Sequence, residues 1–173
     1  SLADKITNIS FRSKEKGWKT YHVKIKYQNN KKDTIPATKN IYIQAFLFNL
    51  SLRPSCYACP CKLHHTQSDI TLADFWGVDR LYPEIDDDKG CGLILVHNDH
   101  TLSLLKSLDC QLHEQKLEEI IAFNPSIIHS VKEPINRKFF YTIFNKINFY
   151  LSYQASVSTN IAIRIIRNLY RKL

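Results

Sequence analysis

Residues 20–27 read Thr-Tyr-His-Val-Lys-Ile-Lys-Tyr, a stretch in which apolar and polar side chains alternate. An alternation with a period of two predicts a β-strand that turns one face toward a core. Residues 4–12 predict a partner strand, and Gly17-Trp18 between the two stretches predicts a turn. Residues 93–96, Leu-Ile-Leu-Val, form a continuous apolar run, which predicts a further strand buried on both faces.

Outside these strands, several segments have apolar residues at helical spacing. Apolar residues at this spacing predict helices over residues 40–50, 100–108 and 116–123, and Asn98 or Asp99 would cap the second of them. Strands that alternate with helices predict an α/β or α+β fold, in which a mixed sheet is flanked by helices. The last forty residues are aromatic and basic, and they predict a helical C-terminal tail.

Three further segments complete the local prediction. Residues 28–40 are polar and predict a hairpin tip and loop, and residues 54–68 predict an irregular loop. Residues 110–114 predict a weak strand. We place a boundary near residues 131–135, where the composition changes.

The composition excludes several classes of protein. Hydrophobic residues make up 44% and charged residues 23% of the chain, as in an ordinary globular protein. No apolar run approaches the about 20 residues that span a bilayer. A secretory signal consists of a basic segment followed by an apolar one, and the sequence shows no such pattern. We therefore expect a cytoplasmic location.

The net charge of +8 is unevenly distributed. Residues 1–40 carry ten Lys or Arg against three Asp or Glu, and residues 132–173 carry eight against one. The residues between them carry six basic and twelve acidic side chains, together with all five cysteines. Basic chains often bind nucleic acid, but the acidic middle argues against this partner.

Cys56-Tyr-Ala-Cys59-Pro-Cys61 is the sharpest local pattern. Two cysteines separated by two residues can direct both thiols at one centre, and thiolates are ligands of zinc and of iron–sulfur clusters. Five cysteines without a secretory signal favour metal or redox chemistry over a disulfide framework. A complete site needs four ligands, so Cys61 or other donors would have to join the pair.

Other interpretations of this cysteine segment stay open. A zinc site would add His64 or His65, but it is crowded because one residue separates Cys59 from Cys61. A redox pair of the thioredoxin kind requires the motif at a helix start after a strand, whereas this one follows Pro54 in a loop. The remaining interpretation is that the two cysteines bind nothing.

Three motifs occur in order through the middle of the chain. Residues 53–59 read Arg-Pro-Ser-Cys-Tyr-Ala-Cys, residues 68–77 read Ser-Asp-Ile-Thr-Leu-Ala-Asp-Phe-Trp-Gly, and residues 83–90 read Pro-Glu-Ile-Asp-Asp-Asp-Lys-Gly. Together they resemble the C-terminal domain of the coenzyme F420 hydrogenase/dehydrogenase beta subunit family. Gly17-Trp18 and residues 124–126, Asn-Pro-Ser, are similar to that family as well.

The resemblance implies an oxidoreductase domain, which we place over residues 1–131; the composition predicts a basic helical tail over residues 132–173. Such a domain is an iron–sulfur flavoprotein that passes electrons between a [4Fe–4S] cluster, a bound FAD and an acceptor. The acceptor would be ferredoxin or another redox partner, coenzyme F420, or an unidentified substrate. Many relatives with this shorter motif style lie in polysaccharide-biosynthesis gene sets.

Site residues follow from the same resemblance. Cys56 and Cys59 match the family's cysteine pair and would be cluster ligands, and Cys61 is a further candidate metal ligand. A second set matches a motif close to the cofactors in the family, and its members are the candidate cofactor-binding residues Asp69, Asp74, Trp76 and Gly77.

Simpler interpretations compete for the acidic residues. Asp69 and Asp74 would serve equally well to form turns or caps. For residues 86–88, three consecutive aspartates, we favour a solvated loop over a metal site.

The sequence also departs from the family's pattern. Cys61 and Cys91 stand where relatives carry apolar or small residues, and Cys110 is expected to be a buried apolar filler. The family's N-terminal half is missing and there is no Met, so we expect that the chain begins inside a longer gene product or has lost its first residue. The alternative function is a truncated, catalytically inactive or zinc-stabilised binding module.

Residues 158–173 predict an amphipathic helix that Ser158 or Thr159 would cap. One face carries Ile161, Ile165, Leu169 and their neighbours, and arginines lie opposite. We favour a terminal helix whose apolar face docks on its own domain. The competing interpretation is that residues 155–173 bind a membrane surface or a partner.

Overall fold

The computed structural model of the protein describes residues 5–62 and 66–172. It combines helices with antiparallel sheets and ends in a helical region, so the expected fold class is confirmed in its α+β form. The strands lie in two antiparallel sheets instead of one mixed sheet. In the part of the chain that the structure describes, no helix is long and apolar enough to cross a membrane.

Residues 5–62 and 66–172 form five strands and eight helices. The strands are β1 (Ile6–Ser13), β2 (His22–Tyr27), β3 (Lys32–Pro36), β4 (Ile70–Asp74) and β5 (Gly92–Val96). The helices are α1 (Ile41–Leu47), α2 (Pro54–Tyr57), α3 (Val78–Leu81), α4 (Asp99–Lys106), α5 (Leu117–Ile121), α6 (Arg137–Phe144), α7 (Phe149–Val157) and α8 (Ile161–Lys172). Short 3₁₀ turns cover Ala37–Lys39, Pro83–Ile85 and Pro125–Ile127.

The chain divides into two compact units. The first comprises the residues up to 16, residues 20–57 and the residues from 131 onward; the second comprises residues 17–19 and 58–130. The C-terminal helices therefore belong to the same unit as the N-terminal sheet, whereas the sequence suggested a tail of their own.

The first unit is built on an antiparallel sheet in the order β1-β2-β3. The alternation in β2 is confirmed in that Val23 is buried and pairs with Ile35 of β3. Strand β3 lies inside residues 28–40, where the sequence predicted a hairpin tip and loop. Its polar residues are tolerated because an edge strand leaves one side and part of its faces to water.

Helix α1 links the two small cores of the first unit. Asn40 begins the helix, because its Oδ1 accepts a hydrogen bond from the Ile43 amide at 3.1 Å. Ile43 then packs with residues from the sheet side, and Ala45 packs with the C-terminal helices. The first core contains Val23, Ala37 and Ile43, and the second contains Ala45, Leu50, Phe140 and Tyr153.

The second unit is built on the antiparallel pair β4 and β5. Asn98 caps the helix that follows β5, as the sequence predicted, because its Oδ1 accepts a hydrogen bond from the Thr101 amide at 2.8 Å. Helices α3 and α5 close over the sheet and bury an apolar core. That core contains Phe75, Val78, Leu93 and Ile120.

Two predictions about the second unit are wrong. Residues 110–114 form no strand, because their polar sequence has no neighbouring strand to pair with. Residues 93–96 do lie in a strand, but only Leu93 is fully buried, and Ile94 and its neighbours are half-buried. A two-stranded sheet covered on one side cannot bury a strand on both faces.

Helix α8 also differs from the favoured prediction. Asn160 caps it instead of Ser158 or Thr159, since the Asn160 Oδ1 accepts a hydrogen bond from the Ala162 amide at 3.0 Å. The apolar residues Ile161, Ile165, Ile166 and Leu169 are exposed, so the expectation that this face docks on its own domain is wrong.

Candidate functional site

The cysteine segment is divided between the two units. Cys56 lies in α2, which is a single helical turn. The turn begins at Pro54, because the fixed φ of proline suits the first helical position. Cys59 and Cys61 belong to the second unit. Cys56 and Cys59 are half-buried and Cys61 is exposed.

Tyr57 anchors α2 within the first unit. Its hydroxyl donates a short hydrogen bond to the main-chain oxygen of Asn49, and burial raises the pKa of this phenol, which keeps it a donor. The guanidinium of Arg137 lies 5.1 Å from the Tyr57 ring and 4.7 Å from the Tyr141 ring. Arg137 Nη2 also donates to the Leu52 oxygen at 2.9 Å. Tyr57, which follows Cys56, is therefore held by its hydroxyl at Asn49 and by its ring at Arg137.

Cys59 is held by the end of the second unit. Its amide donates a hydrogen bond to Ser130 Oγ at 2.9 Å. Lys62 Nζ donates to the Ser126 oxygen at 2.6 Å, so both ends of this short stretch are tied to residues 126–130. Cys59 Sγ lies 3.9 Å from the Cys61 oxygen, a contact that leaves its thiol at the surface of the stretch.

The donors present fit only part of a metal or cluster site. Within residues 5–62 and 66–172, no three His, Cys, Asp or Glu side chains converge so that they could hold a metal ion. His64 and His65, the histidines of the zinc interpretation, lie outside the described residues. The predicted pair Cys56 and Cys59 would supply only two ligands, whereas a [4Fe–4S] cluster requires four.

The two remaining cysteines belong to the second unit. Cys110 is exposed, so the expectation of a buried apolar filler is wrong. Cys91 packs against the core of the second unit, and its burial raises the pKa of the thiol, assisted by the charges of Asp86 and Asp87.

The stretch from Asp74 to Gly77 carries the chain out of β4. Phe75 is buried in the core, whereas Trp76 is 46% exposed. Gly77 has a φ of +86°, and a Cβ atom there would lie 2.3 Å from Cγ of Phe123. Only glycine fits this turn, because both the left-handed backbone and the aromatic ring exclude a side chain.

Asn124 fixes the main chain of Trp76. Its Oδ1 accepts a hydrogen bond from the Trp76 amide at 3.3 Å, and its Nδ2 donates to the Trp76 oxygen at 3.1 Å. The same Nδ2 donates to the Ile120 oxygen at 3.2 Å. Asn124 is buried, so these bonds satisfy its amide where water does not reach.

The Trp18 ring packs against the Trp76 ring. The two ring centroids lie 4.5 Å apart with the planes tilted by 40°, and Trp18 is only 4% exposed. The Trp18 amide donates to the Asp88 oxygen at 2.6 Å. Gly90, at a φ of +96°, lets the chain pass so close that a Cβ would lie 2.4 Å from the Trp18 ring. Trp76 therefore presents its outer face on a rigid support.

The three aspartates of residues 86–88 hold this arrangement together. Asp86 pairs with Lys19 Nζ at short distance, and this hydrogen bond lowers the pKa of the Asp86 carboxyl. Asp88 Oδ1 accepts from the Lys19 amide at 2.9 Å, and Asp87 Oδ1 accepts from the Lys89 amide at 3.0 Å. Asp86 and Asp88 thus bind Lys19 across the second unit, whereas Asp87 is exposed and bonds to Lys89 within the loop, as the solvated-loop prediction expects.

Asp69 and Asp74 lie at opposite ends of β4. Asp69 is exposed, and its Oδ1 accepts a hydrogen bond from Asn98 Nδ2 at 2.7 Å. Because Asn98 caps α4, this contact gives Asp69 the turn-forming role that the sequence left open. Asp74 is half-buried and pairs with Gly92 of β5.

A small cavity lies beside the cysteine segment in the second unit. Its volume is about 190 Å³, and its lining includes Cys61, Lys62, Thr71 and Ser126. Small-molecule pockets usually begin at roughly 300 Å³, so this cavity does not enclose a dinucleotide such as FAD.

No family model matches this sequence, and no curated protein or solved structure matches it. The family resemblance therefore rests on the motifs alone. Four stretches that carry it, around Trp18, Trp76, Asp88 and Asn124, contact one another in the second unit.

Sequence reasoning missed several residues that build this region. Lys19 and Ser130 carry no local pattern that distinguishes them from other surface residues, and the same holds for Arg137, which supports α2 in the first unit. Trp18 and Asn124 did lie within stretches that resemble the family, and this was the signal that could have identified them. Their role depends on partners distant in sequence, such as Trp76.

Proposed function

We propose that this chain is the domain of an iron–sulfur flavoprotein oxidoreductase that passes electrons between a [4Fe–4S] cluster, a flavin and an acceptor. Cys56 and Cys59 would supply two of the cluster ligands, and Cys61 is the candidate for a third. The remaining ligands would come from outside the described residues.

The observation that carries this proposal is the meeting of the resembling stretches in the second unit. Four residues from these stretches lie up to about a hundred positions apart in the chain. Trp18 contacts both Asp88 and Trp76, and Trp76 in turn contacts Asn124. One shared architecture would produce contacts among these stretches, and in this sense the contacts support the proposal.

The residues of the second unit would then act as supports. Trp76 offers an exposed indole face that Trp18 backs, and a planar ring system such as an isoalloxazine can stack on such a face. Ser130 and Lys62 would keep the Cys59 stretch in place. The cluster, when bound, would supply one-electron transfer.

The acceptor belongs to the same proposal. Ferredoxin or another redox partner, coenzyme F420 and an unidentified substrate are the candidates that the resemblance implies. A role in polysaccharide biosynthesis would make the last of these a sugar-linked compound.

Anaerobic reconstitution with iron and sulfide tests the cluster assignment. The full chain should become brown and should contain iron and acid-labile sulfide. Cys56→Ser and Cys59→Ser should each abolish most of the colour, because a cluster that loses a thiolate ligand is destabilised. Flavin retention is measured on the same samples by its fluorescence after denaturation.

Cys110→Ser is the matched control, because this exposed cysteine lies outside the cysteine motif in the sequence and should leave the iron content unchanged. Equal iron content in Cys59→Ser and the unaltered chain would contradict the assignment.

A binding module without redox chemistry is the second candidate. The observation that favours it is that Asp69, Asp86, Asp88 and Asn124 all make hydrogen bonds within the second unit, which accounts for these residues without any cofactor. Colourless anaerobic protein that contains zinc, or no metal, after reconstitution would favour this candidate.

A further inference from the structure

Helix α8 has two chemically distinct sides. On a helical wheel Ile161, Ile165 and Leu169 share one side with Ile166. Arg164 and Arg167 lie on the other. Such a division normally places the apolar side against the protein.

The structure reverses this expectation. The exposed fractions of Ile161, Ile165 and Leu169 are 73%, 57% and 60%. Ile163 and Arg167, which lie on the other side, are half-buried instead. The helix therefore packs on the first unit through the side that carries Ile163 and Arg167, and it turns Ile161, Ile165 and Leu169 to the surroundings.

Arg167 provides a specific attachment. Its Nη1 donates hydrogen bonds to the Ser156 oxygen at 2.8 Å and to the Ser158 oxygen at 3.1 Å. These carbonyls lie at the end of α7, where a helix leaves oxygens without helical partners. The contact holds α8 with its apolar side outward.

The charged residues of α8 are all basic. Residues 134–173 contain seven Lys or Arg and no Asp or Glu. Arg164 is exposed on α8, and Lys138 and Lys146 are exposed on or beside α6 in the same unit. A helix that combines exposed isoleucines and a leucine with arginines complements a surface that is both anionic and apolar.

We propose that α8 docks this protein on an anionic lipid surface. The helix has 12 residues and a length of about 18 Å, which is short of the about 30 Å hydrocarbon core, so it lies in the plane of the interface. Ile161, Ile165 and Leu169 enter the acyl boundary, and the arginines stay at the level of the lipid phosphates.

Vesicle flotation with the full chain tests this docking. The chain should float with vesicles of phosphatidylcholine containing about 30% phosphatidylglycerol, and it should stay in solution with phosphatidylcholine alone. The double variant Ile165→Ser, Leu169→Ser should bind the anionic vesicles at least about tenfold more weakly, because it removes apolar contact from exposed positions. Arg164→Gln should weaken binding and reduce its dependence on salt.

The double variant Leu104→Ser, Leu108→Ser is the matched control. Both leucines are about as exposed as those of α8 but belong to the second unit. This control should float like the unaltered chain. Circular dichroism of every variant checks that the helices are intact, and an Ile166→Trp variant should shift its emission to the blue on anionic vesicles.

Three results would overturn the proposal. One is equal flotation of the Ile165→Ser, Leu169→Ser variant and the unaltered chain. Another is a lack of binding to anionic vesicles, together with unshifted emission of Ile166→Trp. The third is a light-scattering result without lipid in which the unaltered chain is a dimer and the Ile165→Ser, Leu169→Ser variant is a monomer. This result would show that a second copy of the chain covers the apolar side of α8.

Discussion

Asn124 makes three hydrogen bonds to main-chain atoms from a buried position. Side-chain amides of this kind can imitate a strand, since they offer a donor and an acceptor side by side. Here the amide takes the place of a neighbouring strand for Trp76, just beyond the end of β4. The orientation of the Trp76 ring thus depends on a residue 48 positions away.

Replacing Asn124 by Ala should destabilise the protein. The amide and oxygen of Trp76 would lose their partners, and buried unpaired groups cost about 1–3 kcal/mol, so we expect a loss of about 2 kcal/mol. Urea unfolding monitored by tryptophan fluorescence measures this loss. The exposed Gln111→Ala variant serves as control and should unfold like the unaltered protein; an equal midpoint for both variants would contradict the role of Asn124.

The Lys19–Asp86 pair makes stability depend on pH. Its hydrogen bond lowers the pKa of the Asp86 carboxyl in the folded protein, so the pair stabilises the fold above the unfolded pKa of about 3.9. This stabilisation is lost as the pH falls through the folded pKa.

Asp86→Asn should therefore be less stable than the unaltered protein at neutral pH and equally stable in strong acid. Thermal unfolding over a pH series measures the difference. Glu118→Gln, an exposed carboxyl on α5, is the control and should show no such convergence. A gap between Asp86→Asn and the unaltered protein that stays constant down to strong acid would show that the carboxylate charge is not its cause.

Helix α2 is too short to be stable by itself. A helix of four residues forms a single turn, which costs more backbone entropy than its hydrogen bonds return. Its position is set by tertiary contacts of Tyr57, whose ring lies beside the Arg137 guanidinium and whose hydroxyl bonds to Asn49. The environment of Cys56 is therefore decided by residues outside the cysteine motif.

Arg137→Lys should loosen α2 and expose Cys56. A lysine keeps the charge but loses the planar contact with both tyrosine rings and the bond to the Leu52 oxygen. With about 1 kcal/mol lost, the rate of Cys56 alkylation, measured by mass spectrometry, should rise about fivefold.

The reaction of Cys110 provides an internal reference, because it lies in the second unit and should not change. Lys138→Met, an exposed neighbour of Arg137, is the matched variant and should leave the Cys56 rate as it is. An unaltered Cys56 rate in Arg137→Lys would refute this account of α2.

Across the whole molecule, local pattern and long-range contact separate clearly. The strand β2 and the cap of α4 were predictable because alternation and capping act over a few residues, as Val23 and Asn98 illustrate. Strand β3 and the two-unit division were not, because an edge strand with polar residues carries no pattern of its own. The apolar side of α8 was predicted as a face, but its direction was not.

The sequence by itself determined the helix and strand positions with strong periodicity, the amphipathic character of α8 and the spacing of the cysteine pair. Tertiary structure alone decided that Trp76 lies against Trp18, that the aspartates of residues 86–88 are used in contacts with residues such as Lys19, and that α8 turns its apolar side outward. The physical reason is range. Periodicity and caps are set by neighbours within one turn, whereas burial and the pairing of charges depend on which distant segments share a core.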